Sequence, residues 1–253
     1  HNFILENYFK TECVDTNSVA RELLEKYHKI SKYIIDTDEY INDLCKQGGV
    51  VFEGAQGTML DVDHGTFPYV TSSNTTLSGV VSGTGANMSL IKYGLGITKA
   101  YSTRVGHGPF PSELHNDTGQ KIGKIGGEIG ATTGRTRRCG WLDLKVLKKS
   151  IRLNNLSGIA LTKIDVLDNF DEISICVDYG SINYETFEVE NLKFIKLPGW
   201  NESTVGITKY DDLPKNAKAY IETIENLADT SVDIISTGPK RNEIIQKINI
   251  FDA

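Results

Sequence analysis

The tetrapeptide TKID, residues 162–165, ends an apolar run with a lysine and an aspartate two positions apart. A carboxylate such as that of Asp165 accepts two hydrogen bonds from adjacent donors, which matches the N1–H and N2–H₂ edge of guanine and not that of adenine. The aliphatic part of Lys163 can cover a base while its ammonium stays in water. On spacing alone, a solvated strand end is the more common explanation. The STG loop at 236–238 favours guanine, because its backbone amides could face the same base.

A second candidate site is the segment GATTGRTRRCGW, residues 130–141. It combines threonine hydroxyls, glycine-flanked backbone amides and arginines. Guanidinium groups bind carboxylates and phosphates through paired hydrogen bonds, so the segment suits an anionic ligand. An arginine cluster on a solvated loop explains the same pattern equally well.

The segment 52–76, FEGAQGTMLDVDHGTFPYVTSSNTT, carries a third set of polar groups. Gln56 can present its amide to a carbonyl or an oxyanion, and the hydroxyls that begin at Thr71 can bind phosphate. Asp61, Asp63 and His64 allow a metal hypothesis. Hydrogen bonds that form turns and caps explain these three residues more simply.

Secondary-structure patterns predict how these candidates are positioned. Apolar runs predict buried strands at 50–53, 158–163 and 232–236, each followed by a polar or glycine-containing loop. The helices between them predict parallel pairing, and ligands of open α/β sheets bind beyond the carboxyl ends of the strands. Alternation from Ile173 predicts an added antiparallel hairpin near 173–189. The predicted fold is therefore α/β, a single domain with a mainly parallel central sheet flanked by helices.

Apolar residues at helical spacing predict four helices. Two lie before the sheet, at 16–35 and 38–46, and the second ends at Gly48. A third follows the capping residue Asp143, and a fourth has Pro214 in its first turn. We expect the apolar faces of these helices to pack in the core.

Composition limits the class of protein. The chain of 253 residues is 39% hydrophobic and 24% charged, and its net charge is −6. No apolar run is long enough for a membrane span, and the acidic balance argues against a nucleic-acid surface. The four cysteines are scattered without a metal-binding spacing, so we expect buried free thiols and a reducing, cytoplasmic compartment.

Five segments, in this order, resemble the adenylosuccinate synthetase family, and the resemblance covers nearly the whole chain. They are VFEGAQGTMLDVDHGTFPYVTSSNTT, KAYSTRVGHGPFPSE, GATTGRTRRCGWLD, LTKIDVLD and DIISTGP. The chain departs from the family pattern at Thr136, Ser112 and His107, and none of these departures removes an expected contact.

The resemblance implies a ligase that forms a C–N bond. Such an enzyme condenses IMP with L-aspartate, uses GTP and Mg²⁺, and makes adenylosuccinate on the route to AMP. The γ-phosphoryl group of GTP passes to O6 of IMP, and the aspartate amino group then displaces phosphate. The implied protein is a cytoplasmic homodimer. A guanine-nucleotide binding module without ligase chemistry is the competing hypothesis.

The resemblance also implies which residues bind each substrate, with Gln56 at the six-position oxygen as the catalytic group. The expected binding residues are Gln56, Thr71, Val105 and Arg135 for IMP; Thr132, Thr133, Arg135 and Arg137 for aspartate; and Arg137, Lys163, Ile164, Asp165, Ser236, Thr237 and Gly238 for GTP.

In the family pattern, several catalytic groups precede the segments quoted above. They are the glycine-rich phosphate loop, the aspartate that serves as base and magnesium ligand, the histidine acid, and an arginine that reaches across the dimer. We therefore expect no metal ligand in this chain, and we expect residues 1–253 alone to be inactive.

Overall fold

A computed structural model of the chain describes residues 1–130, 134–183 and 185–252. Its contacts divide the chain into two compact units. The first unit contains His1–Val50 and Thr84–Ala86, and the second contains Val51–Gly83 and the chain from Asn87 onward. The expectation of a single domain over 1–253 stays a prediction.

The first unit is helical. Its helices are α1 (Asn2–Ile4), α2 (Thr16–Ile30) and α3 (Thr37–Gln47), with a π-helical turn at Leu5–Phe9 and a 3-10 turn at Ser31–Tyr33. The Asp15 carboxylate caps α2 by accepting the Asn17 backbone N–H at 3.1 Å. Gly48, with φ of 84°, ends α3. Both helices predicted for this region are confirmed.

The prediction that the apolar face of α2 packs in a core is wrong for this unit. Val19, Leu23, Tyr27 and Ile30 are all exposed, and none of the residues in His1–Val50 is buried. The physical reason is size, because a unit of a few short helices cannot cover both faces of each helix.

The second unit is built on a four-stranded sheet in the order β1-β5-β8-β9. The strands are β1 (Leu95–Lys99), β5 (Gly158–Thr162), β8 (Val232–Ser236) and β9 (Ile244–Gln246). β1, β5 and β8 are parallel, whereas β9 is antiparallel. Parallel pairing of the two apolar runs at 158–163 and 232–236 is therefore confirmed.

The parallel register sets which residues meet at the carboxyl edge of the sheet. Lys99 pairs with Thr162, and Leu161 pairs with Ile235, so TKID and STG leave the sheet side by side. β5 starts with a glycine for a steric reason. A Cβ at Gly158 would lie 1.6 Å from Oδ2 of Asp233 on β8.

The third strand prediction, at 50–53, is wrong. Residues 50–53 are irregular, and they alternate between half-buried and exposed. Among the described residues they have no partner strand, and an apolar run without a partner cannot satisfy its backbone groups as a strand.

Two smaller sheets complete the unit. β2 (Ser102–Arg104) pairs with β3 (Arg138–Gly140), and β4 (Leu142–Asp143), β6 (Glu172–Asp178) and β7 (Lys193–Pro198) form a three-stranded sheet. The β6–β7 pair confirms the added antiparallel hairpin. Its second strand begins later than expected, at Lys193, because a connection in which Ile182 and Val189 form a bridge precedes it.

The second unit also contains helices. They are α4 (Ser78–Thr84), which ends in the first unit, α5 (Asp117–Ile125), α6 (Leu144–Asn154) and α7 (Lys215–Ala228), with 3-10 turns at Thr58–Leu60, Met88–Leu90, Ile164–Leu167 and Tyr210–Asp212. Asp143 caps α6 as predicted, by accepting the Val146 backbone N–H at 3.0 Å. The expected core faces of α6 and α7 are confirmed, since Leu144, Leu147 and Tyr220 are buried with the strands.

All four cysteines are free thiols. Cys139 and Cys176 are buried as expected, whereas Cys13 is exposed and Cys45 is half-buried. Burial raises the pKa of Cys176 to about 12, so this thiol is unreactive at neutral pH.

Within the described residues, no helix combines the length and the apolar character that crossing a membrane requires.

Candidate functional site

The carboxyl edge of the parallel sheet opens into a cleft of about 400 Å³. We call it the edge cleft. TKID and STG both reach it, as the sequence predicts. Its lining residues are Ile125, Gly126, Thr162, Lys163, Asp165, Val166, Ser236, Gly238 and Pro239.

Lys163 is held rigidly at the rim of the edge cleft. Its backbone is left-handed, with φ of 61° and ψ of 36°, which a non-glycine residue adopts only when its surroundings hold it there. Its ammonium donates to the Gly126 carbonyl at 2.5 Å and to the Glu128 carboxylate at 3.0 Å. The ammonium is therefore bound to Gly126 and Glu128, and Lys163 also lines the cleft.

Asp165 is the acceptor that the edge cleft leaves available. Its side chain is half-buried, and no other described residue donates a hydrogen bond to its carboxylate. Burial raises the pKa of this carboxyl group, and the negative charges of Asp168 and Glu243 raise it further. An unpaired, partly buried carboxylate gains most from a ligand that donates hydrogen bonds to it.

Two residues predicted to bind GTP turn their side chains away from the edge cleft. Ile164 is completely buried in the core. Thr237 is also completely buried, and its hydroxyl donates to the Ile207 carbonyl at 2.9 Å. Only the backbone of these two residues can face a ligand.

The STG turn keeps its shape through Glu243. The Thr237 backbone N–H donates to the Glu243 carbonyl at 2.9 Å, and Ser236 Oγ donates to the Gly238 carbonyl at 3.0 Å. A Cβ at Gly238 would lie 2.3 Å from Oε2 of Glu243. The close approach of these two residues explains why a glycine lines the cleft here.

Glu128 is the buried centre of charge between the edge cleft and the arginine segment. Its carboxylate accepts hydrogen bonds from Lys99 and Arg137, both at 2.8 Å, from Lys163 at 3.0 Å and from the Tyr101 hydroxyl at 2.5 Å. Burial alone would raise the pKa of Glu128, but these donors outweigh it and lower the pKa to about 2. Glu128 is therefore ionised throughout the physiological pH range.

A second cleft, of about 600 Å³, lies beside the GHG segment at 106–108. We call it the arginine cleft. Arg135 lines it, and its side chain makes no hydrogen bond to any other described residue. Its lining residues are Gly106, His107, Gly108, Arg135, Thr136, Arg138 and Phe187.

Arg138 has a structural role in the arginine cleft. It forms a two-pronged ion pair with Glu113, and it also donates to the carbonyls of Gly106 at 3.1 Å and Gly108 at 2.9 Å. Arg138 thus holds the GHG segment in place, and Arg135 is left for a ligand.

Arg104 connects the arginine cleft to the loop that begins at residue 66. Its guanidinium donates to Thr66 Oγ1 at 2.8 Å, to the Tyr69 carbonyl at 3.1 Å and to the His107 carbonyl at 3.0 Å. Val105, the next residue, is 41% exposed.

The loop around Thr71 is organised by Asp61. The Asp61 carboxylate is completely buried and accepts the backbone N–H groups of residues 63, 64, 75 and 76. Burial alone would raise the pKa of Asp61, but these donors lower it. The turn-forming explanation of Asp61 is confirmed. Thr71 is half-buried, and its backbone N–H donates to the Leu60 carbonyl at 2.7 Å.

Gln56 lies on an exposed segment with φ of 65°. Among the described residues, its side chain makes no hydrogen bond. Gln56 is not among the residues that line either cleft. Thr132 and Thr133, which were expected to bind aspartate, lie outside the described residues.

Glu128 and Arg104 were missed in the sequence analysis. Glu128 follows two glycines and lies shortly before the arginine segment, so a single acid next to a basic run was a usable signal of a counter-ion. Arg104 gave no comparable signal, because its partners at 66 and 69 are remote in the sequence.

Comparisons with known proteins agree with the predicted resemblance. The family model described as adenylosuccinate synthetase matches residues 1–245. An adenylosuccinate synthetase from Psychrobacter sp. (strain PRwf-1) is 50% identical over 262 residues, covering 100% of this chain and 61% of the relative. The enzyme from Acinetobacter baylyi is 50% identical over 270 residues and is covered to 62%.

A solved structure gives the same result at the level of the fold. The fully ligated adenylosuccinate synthetase from Plasmodium falciparum superposes with a TM-score of 0.87 at 37% identity, covering 97% of this chain and 61% of that chain. The chain thus spans about 61% of the length of these proteins. With a family model that matches almost its whole length, this chain belongs to the adenylosuccinate synthetase family.

Proposed function

We propose that this chain supplies the guanine, IMP and aspartate sites of an adenylosuccinate synthetase, which joins IMP and L-aspartate at the expense of GTP. The observation that carries the proposal is the edge cleft. There Asp165 offers an unpaired carboxylate next to Lys163 and the STG turn, on two adjacent parallel strands. This arrangement suits a base with two adjacent N–H donors.

Each cleft has a separate task in the proposal. In the edge cleft, Asp165 accepts the N1–H and N2–H₂ groups of guanine, while Lys163 covers the base and the STG backbone faces its edge. In the arginine cleft, Arg135 binds an anionic group of IMP, near the backbone of Val105. Thr71 and Gln56 bind the IMP phosphate and O6.

Aspartate binds at the arginine segment in this proposal. Thr132, Thr133, Arg135 and Arg137 hold its carboxylates, and Arg137 is also near GTP. Binding of this kind serves catalysis by positioning the amino group against the activated six-position carbon of IMP. Phosphoryl transfer to O6 likewise depends on placing two substrates in line.

The proposal keeps Mg²⁺ as a cofactor but assigns it no ligand here. The described residues contain no group of three or more His, Cys, Asp or Glu side chains able to hold a metal ion. The carboxylate of Asp61 is already occupied by backbone donors. Three expectations stay predictions: Mg²⁺ ligands outside residues 1–253, a cytoplasmic homodimer, and the inactivity of this chain alone.

Separate titrations of GTP, ATP, IMP and L-aspartate by calorimetry test the proposal. The ligase predicts that GTP, IMP and aspartate bind and that ATP does not. Binding of GTP alone would favour the competing hypothesis, a guanine-nucleotide module without ligase chemistry. Equal binding of GTP and ATP would contradict both functions, because both require Asp165 to distinguish guanine from adenine.

A further inference from the structure

Glu128 makes two independent connections. Through its side chain, which is 0% exposed, it holds Lys163 of the edge cleft. Through its backbone carbonyl, it accepts the N–H of Arg137 at 2.9 Å, and its carboxylate also binds the Arg137 guanidinium. One residue thus contacts the elements that form both candidate ligand sites.

The backbone around Glu128 closes a short hairpin. Ile129 and Thr136 form an antiparallel bridge, and the Gly130 N–H donates to the Arg135 carbonyl at 2.8 Å. Among the described residues, Glu128 and Arg137 therefore form the base of this hairpin. Any shift of Glu128 moves the base of this hairpin and the Lys163 head group together.

The hydrogen bonds at Glu128 leave further donors available. Arg137 uses one guanidinium nitrogen, Nη1, for Glu128, and among the described residues its other donors have no acceptor. Lys163 uses its ammonium for Glu128 and Gly126, which keeps that group away from the Asp165 carboxylate. If the Lys163 ammonium were released, it could pair with Asp165 and block the acceptor that the cleft presents.

We propose that Glu128 is a positioning residue that sets the geometry of both sites, by holding Lys163 away from Asp165 and by fixing the base of the 128–137 hairpin. This inference rests on the proposed function, since it assumes that a guanine base occupies the edge cleft and a dicarboxylate the hairpin. Glu128 itself lines neither cleft.

The primary test is Glu128→Gln in the full-length enzyme that contains this chain, with KM measured for GTP and for aspartate. The variant keeps the size of the side chain and removes its charge. We expect both KM values to rise about tenfold or more, the usual effect of losing charged hydrogen bonds, with a smaller change in kcat. Glu225→Gln is the matched control, because Glu225 accepts from Lys247 at 2.7 Å at the opposite end of β8, and both KM values should stay unchanged.

A double-mutant cycle with Lys163→Met separates positioning from a general loss of stability. Lys163→Met removes the ammonium and keeps an apolar stem. If Glu128 acts on GTP through Lys163, then Glu128→Gln raises the GTP KM less in the Lys163→Met background than in wild type. The aspartate KM still rises in that background, because the Arg137 connection is intact. Additive effects on GTP would overturn the inference.

Glu128→Asp covers the case in which Glu128→Gln does not fold. It keeps the charge but withdraws the carboxylate by one methylene, so both KM values should rise by a smaller factor. A lower melting temperature with both KM values unchanged would show a purely structural role and overturn the inference. If wild-type enzyme itself fails to bind GTP and aspartate, the proposed function fails instead.

Discussion

The indole N–H of Trp200 donates to Oδ1 of Asp168 over 2.7 Å, in a buried site three residues after Asp165. Asp168 also accepts the Thr204 backbone N–H at 2.8 Å and the Thr204 hydroxyl at 2.9 Å. The 3-10 turn Ile164–Leu167, which carries Asp165, ends at this residue. The position of Asp165 thus depends on a polar network in the protein interior.

Asp168→Ala should destabilise the protein by about 3 kcal/mol, because three buried donors lose their acceptor at once. Urea unfolding, monitored by tryptophan fluorescence, measures this change in the free energy of unfolding. Asp171→Asn, an exposed acid nearby, is the control and should change the free energy of unfolding by less than about 0.5 kcal/mol. Equal effects of the two substitutions would show that the network contributes nothing specific.

Glu128 should make stability depend on pH in the acid range. The pKa of Glu128 in the folded protein is about 2, below the ordinary value of 4.5. The contribution of Glu128 to the free energy of unfolding is therefore complete above pH 4.5 and is lost as the pH falls towards 2. Between these values the difference in unfolding free energy between wild type and Glu128→Gln should shrink by about 1.4 kcal/mol per pH unit. Urea titrations at several pH values measure this difference in unfolding free energy. A difference that does not change with pH would contradict the ion pairs assigned to Glu128.

Guanine binding should weaken as Asp165 becomes protonated, at a higher pH than an ordinary aspartate would require. The pKa of Asp165 is raised by burial and by neighbouring acids, so the carboxyl group takes up a proton at a higher pH than an ordinary aspartate, and the protonated form is a poorer acceptor. Calorimetry of GDP binding over a descending pH series should show the affinity falling as this carboxyl group takes up its proton. The loss should be absent in Asp165→Asn, and an equal loss in that variant would assign the effect to another group.

Gly238→Ala should reduce guanine binding with little effect on folding. The added Cβ would lie 2.3 Å from Oε2 of Glu243, so Glu243 must move and lose the hydrogen bonds that it accepts from Lys240. Since Glu243 has a flexible side chain, we expect a loss of stability of about 1 kcal/mol or less and a clearly higher Kd for GDP. Gly83→Ala is the control, because nothing lies within 4 Å of a Cβ added there. Gly206→Ala is unsuitable, because φ at Gly206 is 77° and an alanine would strain the backbone.

Local sequence patterns were sufficient where one short segment determines the structure. The apolar runs of β5 and β8, the cap at Asp143 and the end of α3 at Gly48 were all predicted, since each depends on neighbours in the sequence. The meeting of Asp165 with Gly238 was also predicted, because parallel strands end at the same edge of a sheet.

The failures share a physical cause, which is dependence on distant partners. The run at 50–53 is apolar enough for a strand but has no strand next to it among the described residues. Ile164 and Thr237 face inward because the turns that carry them rotate their side chains into the core. Glu128 was missed because three of its donors, Lys99, Tyr101 and Lys163, are 29, 27 and 35 positions away.

The base preference of Asp165→Asn tests the central claim most directly. In the full-length enzyme, Kd values for GTP and XTP are measured for wild type, for Asp165→Asn and for the control Asp171→Asn. An asparagine amide accepts N1–H and donates to the two-position oxygen of xanthine, so the variant should bind GTP about 10- to 100-fold more weakly and should prefer XTP. Wild type and the control should prefer GTP. An unchanged preference for GTP in Asp165→Asn would contradict the assignment of Asp165 as the residue that reads guanine.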